Sequence, residues 1–265
     1  MIPKKIHYCW FGGNPLPELA IKCIESWKKY CPDYEIIEWN EKNFDLNCNK
    51  YVKEAYEAKK WAFVSDYVRY DVLYNYGGLY FDTDVEIINS IEKIIQNNSF
   101  MGFEKINNFL GVNPGLGFGT IPNLVFYKEI LDYYNKIHFV NKDGSYNKTT
   151  IVEYTTKILE KYGLKKENII QEINGITIYP TEYFCPMNYE TGNIIITDKT
   201  ISIHHYTSSW YTEREKKVFN FEKNFLNKYG KEKKDLLIKN ILYRFIKNLY
   251  INGFENTLKK LKKKL

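Results

Sequence analysis

Residues 5–13 read Lys5-Ile6-His7-Tyr8-Cys9-Trp10-Phe11-Gly12-Gly13, a short apolar run that closes on aromatics and a glycine pair. A run of this length ended by glycine predicts a buried strand followed by a turn. Beyond a proline-containing turn, Leu19, Ala20, Cys23, Ile24 and Trp27 recur at helical spacing, and Tyr34-Glu35-Ile36-Ile37-Glu38-Trp39 reads as a second strand. Strand, glycine turn, helix and strand within 40 residues predict an α/β domain that opens on a parallel sheet. Ligands of such sheets bind at the carboxyl ends of the strands, which places Trp10 to Gly13 where a ligand is expected.

The same alternation continues. From Lys59 to Tyr76 the apolar residues Phe63, Tyr67, Val68, Tyr70, Val72, Leu73 and Tyr74 are spaced like a largely buried helix, and Gly77-Gly78 is its stop signal. Leu79-Tyr80-Phe81 predicts a buried strand, interrupted by Asp82-Thr83-Asp84 and resumed as Val85-Glu86-Ile87-Ile88. Phe109 to Thr120 is glycine-rich, while Pro122 to Tyr134 and Thr149 to Tyr162 have helical patterns. Short β-like runs follow at Ile169 to Ile173, Ile176 to Tyr179, Ile194 to Thr197 and Ile201 to His205, and no internal repeat is visible.

The chain has 265 residues, 44% of them hydrophobic and 26% charged, which suits one large folded domain or two small ones. With 17% aromatic residues, 24 of them Tyr, there is enough ring surface to offset the entropy of ordering the backbone, so a disordered chain is excluded. The 15 Gly and 8 Pro sit at isolated turns and exclude a collagen-like repeat. Cys9, Cys23, Cys31, Cys48 and Cys185 are odd in number and lack CxxC spacing, so reduced thiols in a cytoplasmic protein are expected. Met1 to His7 is followed by no apolar run of signal-peptide length, and no stretch of about 18 apolar residues occurs.

Two carboxylates at a strand end, one residue apart, can approach one divalent cation, and a hard oxygen site of that kind suits Mg²⁺ or Mn²⁺. Turns use Asp freely, so it is the preceding apolar strand that singles out Asp82 and Asp84. Asp66 and Arg69, three apart, share a face of the predicted helix. An exposed pair there would be an ordinary ion pair worth a few tenths of a kcal/mol. On a helix this apolar, the two charges are expected to be buried or at a cleft, where they suit sugar hydroxyls and phosphate oxygens. The third cluster is His204-His205-Tyr206-Thr207-Ser208-Ser209-Trp210, whose imidazoles could complete a metal shell and whose hydroxyls and indole N–H could donate to phosphate.

The string Ala62, Ser65-Asp66, Arg69, Leu73-Tyr74, Gly77-Gly78, Tyr80, Asp82 and Asp84 resembles the signature of the DXD-containing sugar-transfer region of family 32 glycosyltransferases. That family includes yeast initiating mannosyltransferases and bacterial capsular polysaccharide enzymes, and its core is similar to that of the large clostridial glucosylating toxins. Ile6 to Gly13 and His205, Ser208 and Trp210 fit the same pattern, so the resemblance spans roughly residues 2–210. It implies a GT-A fold, Rossmann-like and nucleotide-sugar-binding, and a retaining transfer that depends on Mn²⁺ or Mg²⁺. Position by position, it implies that Trp10 stacks on the nucleotide base, Asp66 and Arg69 hold donor hydroxyls, and Tyr80 lines the donor pocket. Asp82 would contact ribose and sugar or bind the metal through water, and Asp84 would ligate it directly. His205 falls where the toxins place a metal-binding carboxylate, with His204 as the alternate ligand. Ser208 would bind phosphate, Trp210 would steady the leaving diphosphate, and Asn113 would touch sugar or acceptor. No carboxylate of these motifs stands out as a nucleophile, so front-face attack by the acceptor hydroxyl is the expected route.

The net charge of +6 is unevenly placed: residues 213–265 hold 16 Lys/Arg against 6 Asp/Glu, leaving 22 against 26 for residues 1–212. The expected division is therefore a catalytic domain over 1–212 and a basic helical extension over 213–265. Between Leu236 and Gly253, Lys239, Asn240, Arg244, Lys247 and Asn248 lie near one helical face, opposite Leu237, Ile241, Leu242, Phe245, Ile246 and Leu249. Such a helix either packs on the domain or meets an anionic membrane from the cytoplasmic side, where a lipid-linked acceptor would lie. Nucleic acid is not an expected partner, because the aromatics fall in apolar runs and not among the lysines. The competing readings are a phosphotransferase or phosphatase using the first Asp of the pair, and an inactive nucleotide-sugar binder.

Overall fold

The computed structural model describes residues 1–92, 94–207 and 213–262. They fall into two compact units, Met1–Asn188 with Ile194–Thr207, and Tyr189–Asn193 with the chain from Ser208 onward.

The first unit is α/β. β1 (Lys5–Cys9), α1 (Glu18–Tyr30) and β2 (Glu35–Trp39) form the predicted opening, with β1 and β2 parallel. α2 (Lys50–Glu57) precedes α3 (Trp61–Tyr76), which leads into β3 (Gly78–Tyr80) and β4 (Val85–Ile87). β5 (Ser99–Ile106), β6 (Phe109–Val112), β7 (Phe118–Thr120), α4 (Val125–Tyr134) and α5 (Ile151–Lys161) come next. β8 (Gln171–Ile173), β9 (Ile176–Tyr179), α6 (Thr181–Phe184) and β10 (Ser202–His204) complete the unit. The main sheet runs in the order β2-β1-β3-β7-β5-β9-β8, with β6 on β5, while β10 and β4 form a separate antiparallel pair. The sheet is mixed and not parallel throughout: β7 lies antiparallel between β3 and β5. Ile194 to Thr197 is not a strand and contributes an isolated bridge, Met187 to Ile194.

Both faces of the sheet are covered, which is why its strands read as unbroken apolar runs. Along β3 and its exit, Leu79 and Phe81 join a core cluster with Ile6, Tyr8, Cys23 and Trp27, whereas Tyr80 joins the opposite cluster with Val68, Leu73, Phe118 and Tyr127. α1 covers the first face and α3 the second. α3 is apolar nearly all round and accordingly buries nine residues, Asp66 and Arg69 among them.

The step from α3 into β3 needs two glycines. Gly77 (φ +62°) donates its N–H to Leu73 O at 2.9 Å, and a Cβ on it would press on Thr120 O and Pro122. Gly78 (φ +105°) passes so near β1 that a Cβ would lie 2.8 Å from Lys5 O. His7 on β1 locks this step. One ring nitrogen, Nε2, donates to Gly77 O at 3.0 Å, and the other, Nδ1, accepts from Trp39 Nε1 at 3.0 Å. This arrangement requires the neutral imidazole.

The second unit is helical: α7 (Glu213–Tyr229), α8 (Lys231–Lys239) and α9 (Ile241–Lys262), the last kinked at Gly253. The single amphipathic face expected across 236–253 is broken, because Asn240 leaves helical geometry (ψ 124°) and its side chain accepts from Tyr243 N to start α9. No helix among the described residues is long and apolar enough to cross a membrane.

Burial lowers the His7 pKa to about 4, a shift to which Lys5 adds and which the Gly77 bond partly opposes. The unfolded chain therefore binds this proton more readily between pH 6.5 and 4, and stability present above pH 6.5 is lost as pH falls. His7→Gln, which cannot titrate, should reduce the stability difference between pH 7.5 and 4.5 by about 2–3 kcal/mol in urea unfolding. Equal pH dependence in the two proteins would contradict this account.

Candidate functional site

The carboxyl ends of β1 and β3, parallel neighbours, bring Trp10 and Asp82 to the same edge of the sheet. α3 starts at that edge, with Trp61 beside Gly12, and supplies Asp66 and Arg69. Arg69 is 4% exposed and divides its guanidinium between two elements. Nη2 lies 3.1 Å from Asp66 Oδ1 and 3.2 Å from Asp82 Oδ1, while Nη1 donates to Asp82 Oδ2 at 3.3 Å. Nε donates to Ser65 O at 3.1 Å, and the guanidinium carbon sits 4.9 Å from the Tyr80 ring centre. The helix is thereby tied to the strand end by a fork that only arginine provides.

Asp82 keeps a side chain 29% exposed, and Tyr80 O–H donates to its Oδ1 at 3.1 Å. Tyr80 is itself only 1% exposed, so it reaches the site through its hydroxyl and does not line an open pocket. Asp82 N–H donates to Gly115 O at 3.1 Å, and a Cβ on Gly115 would collide with the Asp82 carboxylate. Asn113 is buried beside this loop and orders it by accepting Gly115 N–H at 2.6 Å.

Asp84 is buried. Its Oδ1 lies 3.2 Å from His204 Nε2, and its Oδ2 accepts both the N–H (2.8 Å) and the hydroxyl (2.7 Å) of Thr207. The Thr207 hydroxyl, one of the candidate phosphate donors, here donates to Asp84. His205, the first choice as metal ligand, is placed against another carboxylate: its Nε2 lies 2.8 Å from Glu86 Oε2. The contacts separate the two histidines where β10 ends beside the start of β4: His205 meets Glu86, and His204, the alternate, meets Asp84. Asp82, Asp84 and His204 each offer one ligand atom, all within 4.8 Å of one another.

Several charges here are displaced from their ordinary behaviour. Burial pushes Asp66 up to about 7 against the pull of Arg69, with Asp82 adding to the rise. Asp84 is held well below the usual carboxylate range: burial opposes its charge, but His204 and the Thr207 bonds prevail. Burial disfavours charge on His204 as well, yet Asp84, assisted by Glu104 and Asp82, raises it to about 9. His204 Nδ1 is buried with no hydrogen-bond partner among the described residues, an arrangement that a bound ligand would relieve. Two carboxylates and an imidazole form a hard, mixed O/N donor set that fits Mn²⁺ or Mg²⁺.

Trp10, with its Nε1 donating to Asn14 O at 2.6 Å, follows β1 at the same sheet edge. Ser208 and Trp210 lie outside the described residues. Glu104, buried on β5 and hydrogen-bonded to Asn113, belongs to the site but was not among the expected residues. Its strand carried no readable alternation.

Arg69→Lys removes the fork and leaves Asp66 and Asp82 sharing one ammonium. A loss of roughly 3 kcal/mol in chemical denaturation is expected; a change below about 0.5 kcal/mol would show that the bridge contributes little.

Residues 17–101 match the family described as glycosyltransferase sugar-binding region containing DXD motif. Inositol phosphoceramide mannosyltransferase 3 of Schizosaccharomyces pombe is 28% identical over 130 residues, 41% of this chain and 35% of that protein. Subversion of eukaryotic traffic protein A of Legionella pneumophila is 27% identical over 111 residues, 32% of this chain and 17% of that protein. The chain thus spans about a third or less of the length of these relatives. Among solved structures, PaToxG Glycosyltransferase covers 60% of this chain and 69% of its own length, with 16% identity and a TM-score of 0.44. A glycosyltransferase involved in the glycosylation of the major capsid of PBCV-1 covers 78% of this chain and 95% of its own, with 14% identity and a TM-score of 0.44. Asp82 and Asp84 lie inside the matched segment, so the carboxylate pair of this site is the part of the chain that is similar to the DXD-containing sugar-binding region of glycosyltransferases.

Proposed function

We propose that this chain transfers a hexose from a nucleotide sugar, a UDP-hexose in the first instance, to a saccharide acceptor in surface polysaccharide synthesis, with retention at the anomeric carbon. The observation that carries the reading is the convergence of Asp82, Asp84 and His204 at the exit of a buried strand, tied by Arg69 to Asp66. A Mn²⁺ or Mg²⁺ ion held by these three residues would supply the positive charge that neutralises a diphosphate leaving group.

The protein groups do the rest. Arg69 and Tyr80 fix Asp82, whose exposed edge would meet ribose or sugar hydroxyls, and Asp66 would hold donor hydroxyls from α3. Trp10 would stack on the base, Asn113 would face sugar or acceptor, and Ser208 and Trp210 would donate to the departing phosphate as negative charge develops there. With both Asp82 oxygens engaged by Arg69, phosphorylation of this aspartate is disfavoured, and transfer is the reading it supports. Attack by the acceptor hydroxyl from the face the diphosphate leaves would retain configuration without a covalent adduct. Residues 1–212 would be the catalytic domain. The mannosyltransferase relative makes GDP-mannose the second donor to test.

The extension over 213–265 would place the enzyme on the cytoplasmic membrane face beside a lipid-linked acceptor. Supporting this are its 16 Lys/Arg against 6 Asp/Glu and the exposed Leu236, Ile241 (83%), Leu242 and Ile246.

Calorimetry with UDP and GDP is expected to show binding of one nucleotide that requires Mn²⁺ and that Asp84→Asn and Asp84→Ala both abolish. Failure of both nucleotides to bind would remove the reading. Sedimentation with vesicles of phosphatidylcholine, with and without 30% phosphatidylglycerol, tests the extension. Binding should require the anionic lipid, fall in high salt, and weaken on joint replacement of Ile241, Phe245 and Ile246 by Glu; equal binding to both vesicles, or none, would contradict it.

A further inference from the structure

Glu104 has no part in the scheme above. It lies on β5, beyond the end of the matched region at residue 101, and is 4% exposed. A carboxylate at that depth is costly unless its oxygens are hydrogen-bonded. Its Oε2 accepts from Asn113 Nδ2 at 2.7 Å. Asn113 Oδ1 accepts Gly115 N–H at 2.6 Å, and Gly115 O accepts Asp82 N–H at 3.1 Å. These three hydrogen bonds lead from β5 to the main chain of the first aspartate.

The path is tight throughout. A Cβ on Gly115 would collide with the Asp82 carboxylate and would stand 3.0 Å from Asn113 Oδ1 and 3.1 Å from Arg69 Nη1. The loop therefore lies against the aspartate without slack. Asn113 N–H also donates to Gly102 O on β5 at 3.0 Å, which leaves the side-chain amide as the part of Asn113 that Glu104 orients. A displaced amide would release Gly115 and, with it, Asp82.

We infer that Glu104 is a positioning residue of the DxD site, holding Asn113 and thereby Gly115 and the Asp82 main chain in the geometry that takes a divalent cation. This rests on the reading of Asp82, Asp84 and His204 as a metal site. The chain of bonds asks residue 104 for a hydrogen-bond acceptor at a fixed place, and glutamine supplies one.

The test titrates the full chain with MnCl₂ at saturating UDP and follows the free-Mn²⁺ electron paramagnetic resonance signal, with circular dichroism melting as the control for folding. Glu104→Ala should raise the Mn²⁺ midpoint by about 10- to 100-fold, the range found when groups that orient metal ligands are removed. Glu104→Gln should return it to within about threefold of the parent protein. Asn113→Ala cuts the same path one link later, so Glu104→Ala added to it should cost nothing further. A parent midpoint in Glu104→Ala, or Glu104→Gln as weak as Glu104→Ala, would overturn the inference. Should Glu104→Ala not fold, Asn113→Ala with a parent midpoint would do the same. A parent protein that binds no Mn²⁺ removes the metal-site reading itself, and the inference with it.

Discussion

The Arg69 guanidinium is shared between a helix and a strand end, and most of the site's geometry follows from that division. α3 is buried on most sides, and a lone charge within it would be costly to desolvate. Asp66 lies three residues away on the same face and Asp82 across the helix–strand gap, so both faces of the problem are met by one planar cation. Because Asp82 is gripped at both oxygens by Arg69 and at one by Tyr80, it has little freedom to swing. A metal or sugar arriving there would meet a carboxylate already oriented, which lowers the ordering cost of binding.

The fold supplies that fixed point with close backbone approaches. Gly77 and Gly78 bring the chain from α3 into β3 past Thr120 and Lys5 with no room for a side chain, and His7 pins the turn from β1. On the other side of the aspartates, the β4–β10 pair delivers His204 and Thr207 from about 120 residues further along the chain. Asp84 is thereby held by groups distant in sequence, whereas Asp82 is held mainly by its sequence neighbours on α3 and β3. The two carboxylates of one short motif thus depend on different parts of the molecule.

Much of this was legible beforehand because it is local. The 16 residues of α3, the glycine stop and the apolar run into Asp82 are encoded by spacing within one segment, and an Asp and Arg three apart on a helix necessarily share a face. β5 was missed because it is buried on both faces and contains Gly102, so neither alternation nor a continuous apolar run marks it. Glu104 was missed with it. α2 is short, and its tyrosines and lysines carry a weak signal between two stronger elements. The extension was read as one amphipathic face, yet Asn240 is a good helix starter as well as a tolerated helix interior residue, and here it starts α9.

From residue order alone followed the α/β class of the opening, the helix that carries Asp66 and Arg69, and the strand end that carries Asp82 and Asp84, since each depends on periodicity within a dozen or so residues. Tertiary structure alone decided which histidine faces the aspartates, that Thr207 serves Asp84, and that Glu104 stands behind Asn113. Each of those depends on strand register or on a contact between distant segments. His204 reaches Asp84 and His205 reaches Glu86 only once β10 has paired with β4, and nothing in the pair His204-His205 itself specifies which of them meets Asp84.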